Sequence, residues 1–264
     1  MTFLPGFRYK PAAAGAAVAR NGVSFDGVDD EITKAWSGKT VTNNKKFTFA
    51  SWFELPIGTS EVAIFESAGV NGGALYVGMA GSGGYAGLIS SGTPFVFLTT
   101  DDGGARAYQK GASSISYGTK YFLMCVFDSA QATESNRLKI WFGPYGGAVT
   151  AQTWTDVIGG TIGLNNTFDH GSGTTDTMGT DDGASYYKGR MADTYWLDGQ
   201  TLADSSNLVD SYASNAKPKA YSGSYGTTGF HLDFSNSGSL GADSSGNGNN
   251  FTPAGGPSQI TPYL

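Results

Sequence analysis

The sequence predicts an all-β protein built as a two-sheet antiparallel sandwich, and three observations carry that prediction. Glycine makes up 40 of 264 residues, about twice ordinary usage. Aromatics reach 13% while charged residues are only 14%, the balance of many short strands joined by tight turns. Period-two alternation of apolar and polar residues recurs along the chain, whereas no segment of useful length has a helical period.

The elements follow in order. Residues 1–20 read as an arm, punctuated by Pro5 and Pro11, with a smooth Ala-rich stretch over 12–19. Strand signals begin at Gly22. Phe47, Phe49, Ser51, Phe53 and Leu55 alternate with Thr48, Ala50, Trp52 and Glu54 until Pro56 ends the run. Residues 61–66, 74–79 and 95–99 read as short strands, the last followed by the turn Asp101-Asp102-Gly103-Gly104. Residues 121–127 are apolar on both faces, as in a strand at the centre of a sandwich. Leu138, Ile140 and Phe142 mark a hairpin partner across a polar connection. Residues 165–185 read as one long loop, and strand character returns over 186–196. One or two helical turns are expected at 205–212. Phe230, Leu232 and Phe234 alternate with His231 and Asp233, so one face of that strand can enter a core.

Bulk properties exclude several classes. The formal charge is −6 and no basic cluster exceeds Lys45-Lys46, so a nucleic-acid partner lacks its basic stripe. Cys125 is the single cysteine; within an apolar run it reads as a buried, inert thiol, and there is no disulfide framework. No run of 18 apolar residues occurs, so no membrane helix is expected. The start lacks the pattern of a signal peptide, which points to folding in a cytoplasm.

Phe25-Asp26-Gly27-Val28-Asp29-Asp30, the strand from Phe47 to Trp52, the pair at 121–128 and 136–141, and Tyr187-Lys188-Gly189-Arg190 come in an order that resembles the laminin-G-like, concanavalin A-like β-sandwich over about residues 22–203. Further on, Leu197-Asp198-Gly199-Gln200-Thr201-Leu202, Lys217-Pro218-Lys219-Ala220-Tyr221, the segment 226–234 and the segment 240–251 resemble a run in virion surface proteins of marine tailed phages. The resemblance implies a concanavalin A-like jelly roll on a particle surface. One departure stands out: Asp243-Ser244-Ser245-Gly246-Asn247-Gly248-Asn249 resembles a segment that usually precedes the Phe-Asp-Gly strand, yet here it comes last. Residues 229–252 are therefore expected to take the place of the opening strands, or else to begin a second domain or dock on a neighbouring subunit. The division expected is an arm over 1–20, one sandwich over 21–252 and a tail over 253–264, with arm and tail as the attachment segments.

Catalytic chemistry is hard to place. Sandwich glycoside hydrolases need two facing carboxylates, and the E-x-D-x-E strand that supplies them in retaining enzymes is absent. Glu61 and Glu66, the closest glutamate pair, fall on opposite faces of a strand. His170 and His231 read as solvated or structural. No G-x-S-x-G motif or phosphate loop occurs. Calcium is the one candidate ion, with Asp169, Asp176, Asp181 and Asp182 offering hard oxygens in a glycine-rich loop; laminin-G-like relatives often hold calcium near the rim. Asp26, Asp29 and Asp30 form a second cluster that reads as turn chemistry. By residue type, Trp52, Trp154, Tyr186 and Tyr195 are candidate stacking platforms for a glycan. The expectation is a non-enzymatic phage virion structural protein, a capsid decoration or a tail fibre or appendage subunit. Its expected partners are other virion proteins, a host-surface glycan and further copies of itself; no nucleic acid or membrane is expected. A free carbohydrate-binding lectin is the alternative, and a glycoside hydrolase the third reading.

Overall fold

The computed structural model describes residues 19–54, 62–68, 73–79, 94–109, 116–153, 155–156, 159–171, 173–180, 183 and 185–264. The strands in chain order are β1 (Gly22–Asp26), β2 (Glu31–Ala35), β3 (Lys46–Glu54), β4 (Val62–Ala68), β5 (Ala74–Met79) and β6 (Pro94–Thr99). Then come β7 (Ala105–Gln109), β8 (Lys120–Asp128), β9 (Leu138–Pro144), β10 (Thr150–Ala151), β11 (Thr155–Asp156) and β12 (Thr175–Met178). The last are β13 (Lys188–Asp198), β14 (Val209–Asp210), β15 (Lys217–Pro218), β16 (Phe230–Leu232), β17 (Thr252–Ala254) and β18 (Ser258–Ile260). No α-helix occurs among the described residues; where one or two helical turns were expected there is a three-residue 3-10 turn, Ser205–Asn207.

Two eight-stranded antiparallel sheets form the body. The first runs β10-β9-β8-β3-β13-β1-β18, with β16 also paired to β13; the second runs β11-β7-β6-β5-β4-β12-β2-β17. The centre of the first sheet is its most regular part. β3 and β8 match without interruption from Lys46↔Asp128 to Glu54↔Lys120, which sets Phe47, Phe49 and Phe53 on one face and Ala50 and Trp52 on the other. β13 carries a bulge at Asp193-Thr194, where the β3 register shifts and Asp193 takes φ 43°. Its first half pairs β1 and its second half pairs β16.

The inner face packs on the second sheet through Phe47, Phe49, Phe65, Leu75, Val96, Leu98, Leu123, Cys125 and Trp196, all buried. Phe230, Leu232, Phe234, Leu240 and Phe251 belong to the same cluster, so residues 229–252 contribute to this chain's own inter-sheet core. The turn that follows is organised by Asp243 and tied to the chain before β16 by Asn247 Nδ2, which donates to the Gly226 and Gly229 carbonyls at 2.7 and 2.8 Å. Asp243 accepts from the His231 and Ser245 backbone N–H groups at 3.0 and 2.9 Å, and from Asn249 N–H at 2.8 Å. Burial pushes the Cys125 thiol pKa up, as expected of an inert thiol.

The outer face of the first sheet is covered too. Trp52, Phe122, Met124, Trp141, Tyr195 and Leu197 form a second cluster under Leu208, Val209, Ala216 and Tyr263. The cap is pinned by Val149 N–H to the Tyr212 carbonyl at 2.7 Å and Thr48 Oγ1 to the Gln200 carbonyl at 2.9 Å. The segment 253–264, expected as an attachment tail, instead closes the sandwich. β17 pairs β2 in one sheet and β18 pairs β1 in the other, and Tyr263 is buried with its N–H on the Arg20 carbonyl at 2.7 Å. Pairing explains the difference: two three-residue strands bridge an otherwise open edge of both sheets. The arm expected over 1–20 lies, up to residue 18, outside the described residues.

Candidate functional site

The registers give the sandwich two ends. One carries Ser24, Arg190, Glu54 and Lys120, opposite one another in turn across β1, β13, β3 and β8, with the pair Asp26 and Lys188 two residues further out. The other carries Lys46, Asp128 and Asp198.

Of the four aspartates of the expected calcium loop, the two described ones, Asp169 and Asp176, form no group of acidic ligands. Asp169 sits at the second end, where its N–H donates to Asp101 Oδ2 at 2.6 Å and its Oδ1 accepts from Asn44 Nδ2 at 3.0 Å. Asp176 lies on β12 and points into the core, fully buried. Asp181 and Asp182 lie outside the described residues. The physical reason is β12 itself: part of the expected loop is a strand between β2 and β4, and Asp176 is buried on it.

Asp176 is instead part of a buried polar node. Its Oδ2 accepts from Trp36 Nε1 at 3.0 Å and lies 2.8 Å from His170 Nε2, while His170 Nδ1 is 2.9 Å from Thr228 Oγ1. Hydroxyl, imidazole and carboxylate are connected as in a hydrolase triad. Yet Thr228, His170 and Asp176 are at most 1% exposed, and the His170 ring stacks on Trp196 at 4.1 Å. The node ties the 165–174 loop to both sheets. His231 is structural as well: it bonds Asp193 at 2.9 Å and stacks on Tyr195 at 4.1 Å, and Asp193 also pairs with Arg20 at 3.1 Å.

Two of the expected glycan platforms are corrected by burial. Trp52 and Tyr195 are 0% and 1% exposed beneath the cap, so neither ring faces solvent. Trp154 lies outside the described residues, as does Glu61; Glu66 is buried. Tyr186 is half-buried, two residues before Lys188 at the first end.

That end holds a groove of about 420 Å³ lined by Ser24, Phe25, Asp26, Glu54, Lys188, Gly189 and Arg190, within the size range of small-ligand sites. Alternation places it: Val23 and Phe25 turn inward, so Ser24 and Asp26 face out beside Arg190 and Lys188. Arg190 Nη1 reaches Glu54 Oε1 at 3.2 Å, with the guanidinium half exposed. The floor needs glycine at 189, since a Cβ there would lie 2.3 Å from the Tyr187 ring and 2.5 Å from the Glu54 carbonyl. Tyr187 Oη is 2.9 Å from both the Glu54 and Arg190 carbonyls.

One wall is the β1–β2 turn. Gly27 takes φ 80°, Asp26 Oδ1 accepts from Val28 N–H and Asp30 Oδ2 from Asp26 N–H, both at 2.8 Å. One carboxylate oxygen each of Asp26, Asp29 and Asp30 lies within 4.8 Å of the others, so this is the described group able to offer three oxygens to a hard cation. Burial raises the Asp30 pKa, opposed by the Asp26 N–H bond and reinforced by the charges of Asp26 and Asp29. Sequence reasoning found the acidic turn but missed the groove, because its donors and acceptors come from three strands that only the pairing register aligns.

Neither a protein-family model nor a curated protein matches the chain in sequence. Among solved structures, a candidate carbohydrate-binding protein of Bacteroides ovatus superposes with a TM-score of 0.56 at 13% identity, over 93% of this chain and 61% of that one. Looser alignments reach domains LG4-5 of the mouse laminin α1 chain (TM-score 0.42, 11% identity, 83% and 48% of the two chains). Similar in quality is the match to a tailspike protein of an Escherichia coli O157:H7 bacteriophage (TM-score 0.40, 12% identity, 74% and 28%). The fold is an all-β, two-sheet antiparallel jelly-roll sandwich, shared with the Bacteroides ovatus protein.

Proposed function

We propose that this chain is a non-catalytic carbohydrate-adhesion module of a phage particle surface, binding sugar in the groove beside the Asp26–Asp30 turn. The groove carries the reading. It gathers outward donors on Ser24, Lys188 and Arg190 and acceptors on Asp26 and Glu54 around an apolar floor, the mixture that hydroxyl-rich rings require. The likeness to a candidate carbohydrate-binding protein supports the ligand class; the sequence resemblance to marine phage virion proteins supports the location and, with it, virion proteins as partners. In this reading a cation such as calcium would be held by Asp26, Asp29 and Asp30.

The test is retention of the full chain on immobilised bacterial surface polysaccharides, against Lys188→Ala and Arg190→Ala. Retention that falls about tenfold or more in both variants supports the reading, and equal retention of all three chains sinks the groove. Chelator sensitivity that disappears in Asp30→Asn places a cation at the turn. Cryo-EM of the purified particle then separates a capsid decoration from a tail or appendage subunit. Absence from the particle leaves the free lectin, and polysaccharide turnover would restore the hydrolase reading.

A further inference from the structure

Among the described residues, the inter-sheet core contains three polar atoms without hydrogen-bond partners on residues at most 1% exposed: Asp176 Oδ1, Ser67 Oγ and Trp196 Nε1. The fold gathers their residues. Ser67 stands opposite Asp176 in the β4–β12 register, so both side chains leave the same face of one sheet with Cβ atoms roughly 4.5–5.5 Å apart. Trp196 approaches from the other sheet. Its ring stacks on His170 at 4.1 Å, and His170 Nε2 lies 2.8 Å from Asp176 Oδ2. Phe65, two residues before Ser67 on β4, lies 6.1 Å from the same indole.

We propose that one ordered water is bound inside the sandwich at this point, donating to Asp176 Oδ1 and joining it to Ser67 Oγ and Trp196 Nε1. The chemistry of the three groups selects the ligand. A carboxylate oxygen only accepts, an indole N–H only donates, and a hydroxyl does both. Water, with two donors and two acceptor positions, satisfies all three, and buried waters characteristically have two to four such partners. A cation would suit the carboxylate and the hydroxyl but would face the positive end of the indole N–H. A direct Ser67–Asp176 bond would leave the indole unsatisfied. With the water in place, Asp176 is bonded through both oxygens, and a continuous polar network runs from Ser67 and Trp36 through Asp176 and His170 to Thr228 and Trp196. That network spans both sheets, the 165–174 loop and the segment leading into β16.

A crystal structure of the unsubstituted chain at about 1.5 Å tests this without any variant that could fail to fold. The expected result is a fully occupied density peak roughly 2.6–3.2 Å from Asp176 Oδ1 and from at least one of Ser67 Oγ and Trp196 Nε1. The proposal is overturned by any of three results: no density there, Ser67 Oγ bonded directly to Asp176 Oδ1, or a peak with five or more oxygen ligands at the shorter distances of a metal ion. Loss of glycan retention would leave this outcome untouched, so the two proposals fail separately.

Discussion

The two faces of the β3–β8–β13 sheet are both buried, yet by different means. On the inner face, Phe47, Phe49, Cys125 and Trp196 meet a second full sheet whose strands are fixed by long ladders of backbone hydrogen bonds. On the outer face, Trp52, Phe122, Met124 and Tyr195 meet a cap whose regular structure amounts to the two-residue strands β14 and β15 and a single 3-10 turn. The inner contact is sheet on sheet; the outer one depends on side chains such as Leu208, Val209 and Tyr263 and on a few backbone bonds. The lesson is that a broad aromatic face on a jelly roll is no sign of a ligand platform when a later part of the chain can cover it. Polar groups instead converge at an end of the sandwich, where strands stop.

Truncating one tryptophan on each face tests that comparison most severely. Trp196 stacks on Phe47 at 4.4 Å and on His170 at 4.1 Å, and Trp196→Ala should cost about 3–5 kcal/mol in denaturant unfolding. Trp52 packs on Phe122 at 5.2 Å and edge-on to Tyr145 at 5.8 Å. If the cap packs as a true core, Trp52→Ala costs as much as the inner substitution, again about 3–5 kcal/mol. A loss less than half that of Trp196→Ala would mean that the cap yields, and the outer face would return as a candidate surface.

Gly189→Ala probes the junction between the inner core and the groove. The added methyl meets the Tyr187 ring and the Glu54 carbonyl, and neither can move without breaking the Tyr187 hydroxyl contacts. A loss of about 1–3 kcal/mol is expected, with glycan retention falling alongside. Full stability in this variant would show that β3 and β13 can separate near Glu54.

Much of the fold is legible in the sequence, and what hides does so for physical reasons. β3, β8, β9 and β13 announce themselves through alternating or continuous apolar residues, because burial on the inner face is the same demand along their whole length. β12 does not. Its inward positions are Asp176 and Met178, and an aspartate reads as loop until Trp36 and His170 are seen to satisfy it. The closing role of β17 and β18 hides for another reason: Pro253, Pro257 and neighbouring glycines look like a frayed end, yet edge strands tolerate proline where no ladder bond is needed. Burial of Trp52 and Tyr195 depends on a cap formed by Leu208, Val209, Ala216 and Tyr263, all later in the chain and outside either strand, and no local pattern reports those. The groove is invisible for the same reason, since Ser24, Glu54 and Arg190 share it only through register.

Asp30→Asn sharpens the contrast between the buried carboxylate of Asp176, bonded to Trp36 and His170 through Oδ2, and the crowded turn at the groove. Burial and the charges of Asp26 and Asp29 hold the Asp30 pKa above its ordinary value. A raised carboxyl pKa means that the folded state holds the proton more tightly than the unfolded chain does. The resulting stabilisation is complete below the unfolded value, about 3.9, and is lost as pH rises through the folded one. Asn at this position keeps an oxygen for the Asp26 N–H and carries no charge. At pH 7 the variant should therefore melt about 1–3 °C higher than wild type, and the difference should shrink or reverse toward pH 3. A variant that melts lower at pH 7 would show that the ionised turn is stabilised by a ligand or ion, and the comparison would then tilt toward a binding role for the turn itself.

The smallest stability effect belongs to Lys188→Ala, and its smallness is what makes it informative. Lys188 is exposed at the start of β13 opposite Asp26, so removal of its side chain should change unfolding free energy by no more than about 0.5 kcal/mol. The same side chain lines the groove, and its ammonium is a donor that a bound sugar would use. Thermal melts and glycan retention measured on the same preparation should then separate: an unchanged melting temperature with retention reduced about tenfold, a loss of about 1.4 kcal/mol of binding. If both stay unchanged, the groove is only the gap left where three strands end. If both fall together, Lys188 holds the sandwich end in place, and the division between a structural interior and a binding end does not run through β13.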